Sequence, residues 1–117
     1  MKTHKDLEVW KKSIDLVTNV YNISKSFPKE EIFGITSQIR RAAVSIPSNI
    51  SEGAARNHKN EFIQFLYISL GSLSELETQL IICNNIGFLT TKILDDLNSK
   101  IIHIRSMLVG LIKSVKK

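Results

Sequence analysis

Four stretches of the chain repeat apolar residues every three or four positions, the spacing that places them on one face of an α-helix. The first runs from about Asp6 to Ser26, with Leu7, Trp10, Ile14, Val17 and Tyr21 in its stripe. It should stop at Phe27-Pro28, because the residue before a proline is pushed out of the helical region. Lys29 to Phe33 has room for one helical turn, closed by Gly34. The second long stretch begins near Thr36 and reaches about Arg56, with Ile35, Ile39, Ala42, Ile46, Ile50 and Gly53 on one side. The third, roughly Lys59 to Asn85, carries Phe62, Phe65, Leu66, Leu70, Leu73, Leu76 and Leu80, with Asn57 or His58 as its candidate cap. Gly87-Phe88 should end it in a left-handed cap. The fourth starts at Thr90 or Thr91 and ends at Val115, with Ile93, Leu97, Ile101, Ile104, Leu108, Leu111 and Val115 in line. Four helices of about 20 residues, each about 30 Å long and joined by short loops, pack most simply as an antiparallel up-and-down four-helix bundle. The expectation is an all-α fold with one domain over residues 1–117.

The apolar surface exceeds what one stripe per helix requires. The first helix adds Val9, Leu16, Val20 and Ile23; the third adds Ile63, Ile68, Ile81 and Ile82; the fourth adds Ile102, Val109 and Ile112. Apolar residues on a second face either broaden the stripe of a small wrapped core or mark a protein–protein interface. Their presence on three helices favours self-association, which a cyclic homo-oligomer would satisfy economically.

The second helix is unusual in having Pro47 where the periodicity places a helix interior. Its ring crowds the preceding turn and it cannot donate to the Ala43 carbonyl, so a kink is expected there. At 100° per residue, Gln38, Arg41, Ser45, Asn49, Glu52 and Arg56 form a polar stripe beside the apolar one. The opposite flank is small, with Ser37, Val44, Ser48, Ser51 and Ala55, and Arg40 among them. Two roles remain open for the stripe. Gln38, Arg41, Ser45, Asn49 and Glu52 would make a structural hydrogen-bonded network that also satisfies the carbonyl freed by Pro47. Alternatively, the arginines present guanidinium forks to phosphates or to an acidic partner.

Composition narrows the chemistry. The 117 residues are 43% hydrophobic with few Gly and Pro, and a single cysteine rules out an internal disulfide framework. His4, His58 and His103 are isolated, with no metal-ligand spacing, and no phosphate-cradling glycine loop occurs. Ser26-Phe27-Pro28-Lys29 and Ser114-Val115-Lys116-Lys117 fit a Ser-x-x-Lys pattern, but neither offers a desolvated lysine base. Glu75 is expected on the seam side near Ser72, and Cys83 among isoleucines as an inert core thiol. No enzyme, metal or cofactor is expected. The stretch Met1 to Asp6 is followed by no long apolar run, so neither a secretory leader nor a membrane span is expected, and the chain should be cytoplasmic.

Phe27-Pro28, Glu31, Gln38-Ile39-Arg40-Arg41-Ala42, Ser45-Ile46-Pro47-Ser48-Asn49-Ile50, Glu52-Gly53 and Gly71-Ser72-Leu73-Ser74-Glu75-Leu76 resemble the 23S rRNA-intervening-sequence proteins, a bacterial four-helix-bundle family. The resemblance extends from about Leu7 to Leu111. It implies a short up-and-down bundle that assembles into a homopentameric, barrel-like ring with a basic surface. Some members are encoded within insertions in large-subunit rRNA genes. A related branch serves as accessory protein of diversity-generating retroelements, where it binds the reverse transcriptase and nucleic acid. The resemblance supplies no catalytic mechanism. His58 departs from it, since a small hydroxyl residue is expected to cap that helix.

Charge then gains weight. The net charge is +5, with residues 1–27 at +2, 28–57 at +1, 58–88 at −2 and 89–117 at +4. Lys92, Lys100, His103, Lys113 and Lys117 share one face of the last helix, which is either a solvated face or part of a binding surface. Five copies of +5 would make a ring of +25 with salt-dependent attraction to RNA or DNA. Trp10 and Tyr21 are expected in the core, so contacts should be directed at the nucleic-acid backbone. Arg40, Arg41, Arg56 and Lys59 are the candidate contacts. The expected function is a non-enzymatic accessory or scaffold that binds nucleic acid. The alternative is a module that receives another protein, such as a reverse transcriptase, with nucleic acid irrelevant.

Overall fold

The computed structural model describes residues 3–117; Met1 and Lys2, which open the amino-terminal stretch considered above, lie outside the described residues. Four helices follow in order: α1 (Glu8–Ser24), α2 (Ile35–Ala55), α3 (Lys59–Asn85) and α4 (Thr91–Lys116), with 3-10 turns at His4–Asp6 and Lys29–Glu31. No strand occurs among the described residues.

The breakers act where the sequence places them. α1 ends ahead of Pro28. α3 ends in a full Schellman cap, with Gly87 at φ +86°, Phe88 N–H donating to Cys83 O at 2.8 Å and Gly87 N–H to Asn84 O at 3.1 Å. The Phe88 ring then packs on Phe27, centroids 5.3 Å apart. Thr90 Oγ1 caps α4 by accepting from Ile93 N–H at 3.2 Å. His58 occupies the N-cap position of α3 but makes no side-chain capping bond.

Each helix packs on two others, α1 on α2 and α4, and α3 on α2 and α4, as the corners of a bundle do. Ser45 meets Ser72, Ile46 meets Ser69, and Gly53 lies against Phe62 and Phe65, so the contacts of α2 and α3 run in opposite order. The 44 Å long axis is close to the roughly 40 Å that a 27-residue helix such as α3 spans. The helix of α2 continues without interruption through the buried Pro47.

The core is built from Leu16 and Val20 of α1, Ile39, Ile46 and Ile50 of α2, Leu66, Leu73, Leu76 and Leu80 of α3, and Leu97, Ile101, Ile104 and Leu108 of α4. Each fully buried side chain of this size contributes about 1.5–3 kcal/mol. In α1 the added residues Val9, Leu16 and Val20 form the buried centre of the face, and Leu7, Trp10, Val17 and Ile23 pack on its margins. Val9, Ser13, Leu16, Val20 and Ser24 are buried, whereas Ile14 and Tyr21 are exposed and Leu7, Trp10 and Val17 only half-buried. Two serines make that face look polar. Their hydroxyls donate to carbonyls of their own helix, Ser13 to Trp10 O at 2.8 Å and Ser24 to Val20 O at 2.7 Å, so burial leaves them satisfied. In α4, Leu94 and Ile112 are buried, while Ile93, Ile102 and Val109 remain exposed. Of the surplus on α3, Ile63 packs against the core, while Ile68, Ile81 and Ile82 are exposed, as are Tyr67 and, just past the helix, Ile86.

Candidate nucleic-acid interface

Arg40 and Arg41 are consecutive on α2, so helical geometry turns them about 100° apart and sends them to different flanks. Arg40 faces α1. Its Nε–H donates to Ser24 Oγ at 2.9 Å, and its guanidinium stands over the Tyr21 ring at 4.7 Å. Arg41 is exposed in a groove of about 520 Å³ between α2 and α3, together with Gln38, Ser45, Glu75, Gln79 and Phe33. Arg56 follows the end of α2, with its guanidinium 5.3 Å above the Phe65 ring, and Lys59 is the first residue of α3. Fifteen residues of helix separate Arg41 from Arg56, about 22 Å. The four candidates therefore occupy three places on the surface rather than one patch.

The polar stripe of α2 is bonded in part. Ser45 and Ser72 hydroxyls lie 2.8 Å apart, and Asn49 Nδ2 donates to Ser45 O at 2.8 Å and to Ser45 Oγ at 2.9 Å. Ser69 Oγ donates to Ile46 O at 3.0 Å. Among the described residues, none of these bonds takes in Gln38, Arg41 or Glu52, and none reaches the Ala43 carbonyl freed by Pro47. Asn49 bonds the Ser45 carbonyl one turn back on its own helix, and Ser69 reaches Ile46 O from α3. Ser69 and Ser72, which complete the set, were legible only as small residues in the third helix.

The last helix contributes Lys100, whose Nζ donates to Asn19 Oδ1 at 2.8 Å and lies 3.5 Å from Asp96. This contact spans a groove of about 530 Å³ between α1 and α4 that also holds Lys12, Asp15 and His103. Lys92, Lys113 and Lys117 are exposed. Among the described residues only three ion pairs form: Lys11–Glu8, Lys100–Asp96 and Arg105–Glu77. Arg40, Arg41, Arg56 and Lys59 have no carboxylate partner.

Exposed aromatics correct part of a further expectation. Trp10 packs half-buried against the core, but Tyr21 is 40% exposed, and Tyr67 is 50% and Phe33 95% exposed. Tyr21 and Tyr67 each lie beside a cation, Arg40 and Lys116, the latter at 5.4 Å. Glu75, expected on the seam, is exposed in the α2–α3 groove.

Cys83 lies fully buried in the core. Burial, with a smaller push from the Glu31 charge, raises its thiol from 9.0 to about 11. At pH 8 it should therefore react with a thiol reagent orders of magnitude more slowly than in the unfolded chain. Timed labelling with and without denaturant measures this. Below pH 9 the thiol is protonated in both states and costs no stability; between pH 9 and about 11 the unfolded chain ionises first, so stability falls as pH rises.

Among the described residues, no group of three or more His, Cys, Asp or Glu is placed to hold a metal ion, and no helix is long and apolar enough to cross a membrane. The family model described as 23S rRNA-intervening sequence protein matches residues 5–110. A crystal structure of a protein with unknown function, from the S23 ribosomal protein family of Bacteroides thetaiotaomicron VPI-5482, shares the fold at a TM-score of 0.83. It is 27% identical and the match covers 90% of this chain and 95% of that one. No curated protein matches the chain. With the family pattern running through all four helices, the chain belongs to the 23S rRNA-intervening sequence protein family.

Proposed function

We propose that this protein assembles into a ring of identical subunits, a pentamer, and binds nucleic acid, RNA first, through phosphate contacts as a non-catalytic accessory or scaffold. The observation that carries the proposal is the supply of surface cations without carboxylate partners, Arg40, Arg41, Arg56 and Lys59 among them, on a chain of net charge +5. Unneutralised cations attract a polyanion and release its counterions on contact. The family description carries 23S rRNA in its words, which supports RNA as the first ligand to test. Assembly is supported by α3, whose outward side from Gln64 to Ile86 bears Tyr67, Ile68, Ile81, Ile82 and Ile86 with Glu75 as its one exposed charge. Gln64, Ser74, Thr78 and Asn85 are exposed there too, so the apolar residues form two groups, Tyr67-Ile68 and Ile81-Ile82-Ile86, of the kind that contacts between subunits cover.

An electrophoretic shift with structured RNA at low and moderate salt tests the binding. A shift that weakens with salt supports it; no shift even at low salt removes it. In that event the alternative, a module that receives another protein such as a reverse transcriptase, takes over. It is favoured by Phe33, an aromatic side chain 95% exposed at the rim of the α2–α3 groove.

A further inference from the structure

We propose that the corner between α1 and α2 is a phosphate site that takes the backbone of a nucleic-acid strand, with Arg40, Lys25 and Lys29 as its cations and Tyr21 as a stacking platform beside it. The inference rests on the nucleic-acid reading above and names the place where it acts. The corner is a pocket of about 330 Å³ whose lining includes Ser24, Lys25, Lys29, Thr36 and Arg40, and no carboxylate. Phe27, Pro28 and Ile32 complete its wall. The two grooves that hold Lys100 and Arg41 differ in carrying carboxylates. Asp15 and Asp96 stand among the lysines of the α1–α4 groove, and Glu75 shares the α2–α3 groove with Arg41. An anion entering either of those meets a like charge. At the corner it meets three cations.

Three details fit the corner to a phosphate. Arg40 is held in place: Ser24 Oγ, which donates to Val20 O, accepts the Arg40 Nε–H, and the guanidinium lies over Tyr21. Its terminal nitrogens make no hydrogen bond to another described residue, so the fork is oriented before a ligand arrives. Glu31, beside the pocket in sequence, is turned to the start of α2, its Oε1 accepting from Ile35 N–H at 3.4 Å. Thr36, a lining residue only 2% exposed, has a hydroxyl without a hydrogen-bond partner. A buried hydroxyl left unpaired is uncommon, and an acceptor oxygen at the floor of the pocket would pair it. Tyr21 carries the guanidinium on one side and is 40% exposed, which leaves ring surface for a base next to the bound phosphate.

The test is anisotropy of a labelled single-stranded RNA, with folding checked by circular dichroism. Lys25→Ala/Lys29→Ala, two exposed positions, is compared with Lys92→Ala/Lys113→Ala on α4, which removes the same charge. The corner pair should weaken binding about tenfold and the α4 pair no more than about threefold at the same salt. Arg40→Lys keeps the charge but loses the fork, and should recover less than Arg40→Ala loses. Tyr21→Ala, which removes both the stacking surface and a support of the Arg40 fork, should weaken RNA binding, and Tyr21→Phe, which keeps the ring, should restore it. Equal losses from the corner and α4 pairs would overturn the site while leaving RNA binding standing. If wild-type protein binds no RNA, the nucleic-acid reading itself fails. Inorganic phosphate that shifts the amide resonances of residues 24–40 without any RNA binding would assign the corner to free phosphate and overturn the strand as its ligand.

Discussion

Gly53→Ala should lower the stability of the folded chain, although alanine is the better helix former. In an open helix the exchange gains about 0.5–1 kcal/mol. A β-carbon at Gly53 would lie 2.7 Å from Phe65 Cβ, 3.1 Å from Phe62 Cδ1 and 3.3 Å from the Phe62 carbonyl oxygen. Phe65 Cβ is attached directly to the backbone of α3 and cannot swing aside, so α2 and α3 must separate at this point. Overpacking of this kind costs about 1–3 kcal/mol, which outweighs the propensity gain. The expected net loss is about 1–2 kcal/mol, or a Tm lowered by roughly 4–10 °C for a chain of this size. Gly110→Ala is the control: nothing lies within 4 Å of a β-carbon there, and its Tm should rise. A Gly53→Ala protein as stable as the Gly110 variant would mean that the two helices do not meet as closely as described.

Ile68→Glu combined with Ile82→Glu should reduce the assembly to single chains of 13.2 kDa in light scattering. Both side chains are exposed on the outward side of α3, so the bundle core is untouched and helicity should persist. In the proposed ring the same positions would be covered, and burying a carboxylate without a partner costs several kcal/mol per site. Two such charges on each subunit, repeated around a ring, exceed what an interface of modest size withstands. RNA affinity should fall with the mass, because a single chain presents one subunit's charge where the ring presents all of them. A variant that keeps the wild-type mass would show that this face is not where the subunits meet.

The helix bounds were legible because the punctuation is strong: Pro28, Gly34, Gly87 and Thr90 stop or start helices for local reasons that need no partner. The inward stripe of α2 was legible too, since Ile39, Ala42, Ile46 and Ile50 repeat with the helical period. The inward face of α1 was not. Ser13 and Ser24 count as polar in any periodicity, yet a serine that bonds its own helix is small and satisfied enough to enter a core. The expected stripe therefore centred beside the true one: Leu7, Trp10 and Val17 pack on the margin of the core, whereas Ile14 and Tyr21 are exposed. The candidate site suffered from a different blindness. The spacing of Arg40, Arg41 and Arg56 along the chain is plain, but which neighbour each one faces is set by the other helices. Arg40 meets Tyr21 and Ser24 across α1, and Ser45 meets Ser72 across α3, through contacts between residues 16 to 27 positions apart. A pattern within one helix carries no record of them.

A salt titration of RNA affinity tests the central claim, a basic assembly that grips the phosphate backbone. The logarithm of the association constant should fall linearly with the logarithm of salt concentration. Each phosphate neutralised on a single strand contributes about −0.7 to the slope, so a ring engaging five or more phosphates should give about −3.5 or steeper. The Ile68→Glu/Ile82→Glu chain should give a shallower line. An affinity that does not change with salt, or no binding at the lowest salt, would contradict the account.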